Sequence, residues 1–144
     1  MGLAEVKMNL PYAEDVGHYW QTSQSSPDIW VNRAKKVIED MGGEVIADGF
    51  GSAGGQAAFM LAFKFKEQRY KVVWPVLPTY SGKEISAKRQ AATLLYHDVK
   101  AKAMTASVLG FEAAFFSYMM LPDGRVSSEL ANPELAEVFP KLLT

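Results

Sequence analysis

The sequence predicts an α+β domain ordered as helix, three-stranded antiparallel sheet, long helix and C-terminal helices (α-β-β-β-α-α). Three observations carry this. Apolar residues recur at helical spacing after Ser26-Pro27, they alternate singly along residues 57–66, and residues 84–109 form one stretch rich in Ala, Leu, Lys and Gln. At 144 residues the chain has the length of one domain, predicted to span residues 1–144. Folding at that size buries roughly 68–70% of the unfolded surface, so a core needs no covalent staple.

Taken in order, residues 1–25 combine Pro11, Gly17 and the polar run from Gln21 to Ser26 with the aromatic side chains Tyr12, Tyr19 and Trp20. They predict a loosely structured arm with aromatic anchors. Ser26, Pro27 and Asp28 supply a helix N-cap, a first-turn proline and a first-turn acid. Ile29, Trp30, Arg33, Ala34, Val37, Ile38 and Met41 continue that helix to a stop at Gly42-Gly43. A short strand over residues 44–48 then meets a glycine-rich turn or bulge over residues 49–55. In residues 57–66, Phe59, Leu61, Phe63 and Phe65 fall on one face, and Met60, Ala62, Lys64 and Lys66 on the other. A turn at Glu67-Gln68 leads to a third strand over residues 69–74, ended by Pro75 and Pro78. With that turn Lys64 faces Lys71, Phe65 faces Tyr70 and Phe63 faces Val72.

The long helix carries an apolar stripe of Ile85, Ala92, Leu95, Tyr96, Val99, Ala103 and Ala106. Arg89, Thr93, His97 and Lys100 share a neighbouring polar face, with Gln90 beside them. Gly110 interrupts the helix. Residues 111–121 read as a second, very apolar helix, either core or a subunit interface through Phe115, Phe116 and Met119. After the turn signal Pro122-Asp123-Gly124, Asn132-Pro133-Glu134 starts a short helix ending at Leu143.

Composition excludes several chemistries. Without cysteine there is no disulfide framework, thiolate nucleophile or cysteine-ligated metal. No apolar run reaches the ~18 residues of a membrane span, and no signal peptide opens the chain, so no membrane partner and a cytoplasmic location are expected. Gly49-Phe50-Gly51-Ser52-Ala53-Gly54 matches the G-x-G-x-x-G spacing, but strand-like sequence follows where a dinucleotide loop needs a helix. His18 and His97 lack the spacing of metal ligands, and no Gly-x-Ser-x-Gly elbow is present. No cofactor, metal or catalytic constellation is expected. A small enzyme with a pocket at residues 49–55 is the third-ranked reading.

The net charge of −1 hides a strong segmentation. Residues 1–50 carry eight acidic against four basic side chains, residues 51–110 three against nine, and residues 111–144 five against two. Within the basic middle, Lys64, Lys66, Arg69 and Lys71 gather on the strand pair, where like charges facing each other destabilise a sheet. They either meet an anionic partner or solubilise the hairpin and discourage edge pairing. Lys83 and Lys88 open the long helix, against its dipole, in a place suited to phosphate; Arg89 and Lys100 follow on one face.

Element order and the segment Gly82-Lys83-Glu84-Ile85-Ser86-Ala87-Lys88-Arg89-Gln90-Ala91-Ala92 resemble the double-stranded-RNA-binding domain, whose second helix opens with phosphate-contacting lysines. The same order, over residues 27–109, is similar to the core of phage Red-beta-type single-strand-annealing proteins, which assemble into rings or filaments around a basic groove. The apolar segment from Phe111 departs from the RNA-binding domain and suits an assembling protein better. These resemblances imply a non-catalytic nucleic-acid-binding homo-oligomer acting in annealing, recombination or repair. The alternative is an interaction or scaffold module with an acidic protein partner.

Overall fold

The computed structural model describes residues 9–22, 24–53 and 56–122. Its elements are α1 (Ala13–Val16), α2 (Pro27–Asp40), β1 (Glu44–Ala53), β2 (Gln56–Phe65), β3 (Gln68–Pro75), α3 (Glu84–Leu109), α4 (Phe111–Ala114) and a 3-10 turn (Phe116–Tyr118). The antiparallel sheet has the order β1-β2-β3. This is the α+β arrangement the sequence predicts. The terminal helix expected over residues 133–143 lies outside the described residues.

Pro27 opens α2 at a position whose N–H needs no partner. Ser26 holds the extended N-cap backbone and its carbonyl accepts from Ile29 N–H at 3.1 Å, but its side chain makes no cap bond. Gly43 lets the chain pass directly under α2. A Cβ there would sit 2.7 Å from Ile38 Cγ2 and 3.0 Å from Ile38 O.

β1 runs beyond the expected stop at Asp48 to Ala53, because Met60, Phe59 and Ala58 of β2 pair with Gly49, Phe50 and Gly51. Ladder pairing there outweighs the weak strand propensity of glycine. A bulge between Val45 and Ala47 places Ile46, 45% exposed, outside the regular alternation. The β2–β3 register also differs from expectation. The loop is Lys66-Glu67, with Lys66 in the left-handed region at φ 55°, so Lys64 faces Arg69, Phe63 faces Tyr70 and Lys71 faces Ala62. The shift is two residues, one full side-chain period, and every face is preserved. Phe63, Tyr70 and Val72 are accordingly buried, Phe65 is half-buried, and Lys64 and Lys71 are half-exposed on the opposite side.

The helices α2, α3 and α4 pack on one face of the sheet. Val31, Ala34 and Ile38 of α2 meet Ala91, Ala92, Leu95 and Val99 of α3 over Phe59, Leu61, Phe63 and Val72 in one continuous core. Alanines between the helices allow close approach. The expected stripe of α3 is buried at Ala92, Leu95 and Val99, with Tyr96 and Ala106 packed against the core, but Ile85 is 70% exposed and the buried face is wider than expected, taking in Ala87, Gln90, Ala91 and Thr93. Gln90 is covered by the chain's own N-terminal arm. Ala13 N–H donates to Pro78 O, and Gln90 Nε2 donates to Ala13 O at 3.1 Å and His18 O at 3.0 Å. Tyr19, itself left-handed at φ 59°, stacks on His97 with centroids 4.6 Å apart. Residues 9–22 are therefore more firmly tied down than their composition suggests.

The segment after Gly110 corrects the expectation of one helix over residues 111–121. Its single turn α4 gives way to the 3-10 turn, and Met119 bridges the edge of β3 at Tyr70. Phe115 is fully buried against Phe111 at 4.5 Å and Phe63 at 5.5 Å, so it belongs to the core of its own chain. Phe116 is 36% exposed and Met119 is half-buried. Of the three residues assigned to a subunit interface, only Phe116 keeps substantial exposure. Asp98 holds this segment to α3 by accepting from Tyr118 Oη while pairing with Lys102 at 2.9 Å. Burial and the adjacent Asp98 carboxylate push the Tyr118 phenol well above its ordinary range.

Candidate phosphate-contacting surface

With the helices on one side, the other sheet face is left open among the described residues. Alternation assigns to it Ala58, Met60, Ala62 and Lys64 from β2 and Arg69, Lys71 and Val73 from β3. Glu44, Ala47, Gly49 and Gly51 of β1 continue the same face. It has two halves. Near the β2–β3 loop stand Lys64, Arg69 and Lys71; toward the other end Met60 (37% exposed) and Val73 (53% exposed) border a shallow, mainly apolar groove of about 430 Å³.

Lys64 lies between two cross-strand neighbours, Glu44 on β1 and Arg69 on β3. Even so, the ion pairs among the described residues are Lys35–Asp48, Lys36–Asp40 and Lys102–Asp98, none of which involves these cations. Lys66, exposed in the loop, lies 5.7 Å from the centre of the Phe65 ring.

The remaining sequence-predicted cations are elsewhere. Lys83 is the exposed N-cap of α3, and Lys88 Nζ sits 4.0 Å over the Phe50 ring. Lys88 borders a cleft of about 700 Å³ between the start of α3 and the sheet, whose walls include Leu10, Phe50, Val76 and Ile85. Arg89 is half-buried, and Lys100 is exposed 5.9 Å from the Tyr96 ring. The start of α3 meets the beginning of β2, whereas its end meets the β2–β3 loop around Phe65 and Gln68. The basic loop end and the basic helix start thus lie at opposite ends of the sheet, and the helix lies on its other side. The eight cations singled out in the sequence form no single groove.

The polar helix face inferred from Arg89, Thr93, His97 and Lys100 is also divided. Thr93 is buried and its hydroxyl donates to Arg89 O at 2.7 Å. His97 packs between Tyr19, Trp30 and Tyr96, where burial and then nearby Lys100 lower its pKa. Sequence reasoning missed the role of Gln90 as the buried anchor of the arm; a glutamine within an Ala-rich helix is indistinguishable from a solvated one until its neighbours are known.

For the pocket expected at residues 49–55, the described part is strand, and its groove is lined by Ser52 and Gln56 together with small and apolar residues. Among the described residues no titratable side chain borders it. No protein-family model matches the chain, and no curated protein or solved structure is significantly similar to it. Among the described residues no helix is long and apolar enough to cross a membrane.

Proposed function

We propose that the protein is a non-catalytic binder of nucleic-acid phosphates, acting through the basic end of the open sheet face. One observation carries this reading: Lys64, Arg69 and Lys71 stand together on a face that, among the described residues, is uncovered and offers them no ion-pair partner. Like charges held side by side repel, and a polyanion relieves that repulsion. Aromatic side chains of the strands, including Phe59, Phe63 and Tyr70, point to the core, so among the described residues this face has no base-stacking platform. Binding through it is therefore insensitive to sequence, since phosphate contacts position a protein without reading bases. Single-strand annealing and self-assembly, implied by the family resemblance, are extensions of this proposal.

Replacing Lys64, Arg69 and Lys71 with Gln tests it. The slope of log affinity against log salt should fall by about 0.7–0.9 for each phosphate released from the protein, depending on strandedness. A matching Lys83→Gln, Lys88→Gln variant reports the other end of the sheet. Unchanged affinity and slope in the triple variant, with native circular dichroism, would refute the assignment. The apolar half of the same face favours a second reading, a protein-docking surface, which predicts retention of a partner that does not weaken with salt.

A further inference from the structure

The cleft between the start of α3 and the sheet lies apart from the open face, and its walls are mainly apolar. Leu10, Val76 and Leu77 are half-buried there, while Ile85 is 70% and Phe50 47% exposed. Its volume of about 700 Å³ falls within the ~300–1,000 Å³ of small-molecule sites. The frame is built in advance. Gln56 Nε2 donates to Ala57 O at 2.8 Å and to Val76 O at 2.9 Å, fixing the chain that leaves β3. The rim over residues 78–82 is tied to the arm: Pro78 O accepts from Ala13 N–H at 2.8 Å, and Ser81 N–H donates to the Glu14 carboxylate at 2.9 Å. Gly82 N–H closes the rim on Thr79 Oγ1 at 2.7 Å.

Among the described residues, the charged side chains bordering this cleft are Glu84 and Lys88. They stand one turn apart on α3, in the order that favours a Glu–Lys pair on a helix. Yet they do not pair; the ion pairs among the described residues lie elsewhere. Lys88 Nζ instead sits 4.0 Å from the centre of the Phe50 ring. The ring attracts the ammonium but leaves its charge uncompensated. Because Lys88 is half-buried, an anion reaching it is screened less by water than at an exposed lysine. We propose that the cleft binds an apolar carboxylate, with the carboxylate on Lys88 and the hydrocarbon body along Leu10, Phe50, Val76 and Ile85. Glu84, exposed at the border, limits the charge that is accepted. A monoanion is balanced by Lys88, whereas a phosphate dianion or a polyanion meets repulsion from Glu84. The site is separate from Lys64, Arg69 and Lys71 and does not rest on the phosphate reading.

Titration calorimetry of the full chain with octanoate tests this. Octanoate should bind about tenfold more tightly than octanol, which lacks the charge. Each methylene added from butanoate onward should raise affinity by up to about fourfold. Lys88→Gln should weaken octanoate about tenfold and leave octanol unchanged, while Lys88→Arg keeps octanoate. Glu84→Gln should improve binding of octyl phosphate, and no improvement overturns the charge limit alone. If Lys88→Gln does not fold, Ile85→Asp at an exposed wall position should remove octanoate binding with native circular dichroism. The Lys64, Arg69 and Lys71 variant is the control and should bind octanoate as the native chain does. Absence of binding, equal affinity for octanoate and octanol, affinity independent of chain length, or a folded Lys88→Gln protein with unchanged affinity overturns the proposal. So does a loss confined to the control, which would place the anion on the open sheet face instead.

Discussion

Truncating Phe115 to alanine separates a core role from an interface role. The ring is fully buried and lies 4.5 Å from Phe111, 5.5 Å from Phe63 and 6.2 Å from Tyr70, centre to centre. Removing a buried phenylalanine costs about 3–5 kcal/mol, combining its transfer energy with that of an unfilled cavity. Against a typical total of about 5–15 kcal/mol, that is a large fraction of the stability. At about 2–4 °C per kcal/mol for chains near this size, melting should fall by roughly 10 °C. The assay is urea denaturation beside light scattering: the midpoint should fall with its slope unchanged, and the molar mass of the native protein should stay the same. Phe116→Ala, at a more exposed position, should cost less than about 1 kcal/mol. A Phe115→Ala protein that loses mass on light scattering but keeps its midpoint would refute the core assignment.

Gln90→Ala removes both side-chain bonds to the arm and should destabilise by about 1–3 kcal/mol, with proteolysis accelerated first around residues 17–22; uniform protection there would contradict the anchoring role. Because burial and Lys100 lower the pKa of His97, its neutral form is favoured in the fold: its stabilising contribution is present above the unfolded value near 6.5 and is lost as pH falls through the folded pKa. His97→Phe should flatten the fall in thermal stability between pH 7 and about 5.5, and an unchanged profile would count against this. Lys66→Gly should leave stability unchanged or raise it by up to about 1 kcal/mol, since φ 55° suits glycine; a clear loss would show that the side chain contributes more than its backbone costs.

Legibility in the sequence followed the range of the interactions. The alternation of Phe59, Leu61 and Phe63 with Met60, Ala62 and Lys64 was sufficient to sort the two faces of β2, because strand periodicity is local. The two-residue error in pairing arose at Lys66-Glu67, a loop without the Gly or Asn that usually marks positive φ. The start of α2 and the ends of α2 and α3 were readable from Pro27, Gly43 and Gly110 for the same local reason. The C-terminal aromatic segment was not, since Phe115 and Tyr118 are held by Phe63 and Asp98, far away in the chain.

Element order, the apolar and basic faces of the hairpin and the uneven distribution of charge are written in the residues themselves, since each depends on side-chain spacing within an element. Packing in three dimensions was needed to show that Gln90 and Thr93 are buried under an ordered arm and between helices. It also made Phe115 core and set the basic helix start far from Lys64, Arg69 and Lys71. A helix face is exposed or covered according to what packs on it, and cations form one site only where the fold brings their elements together.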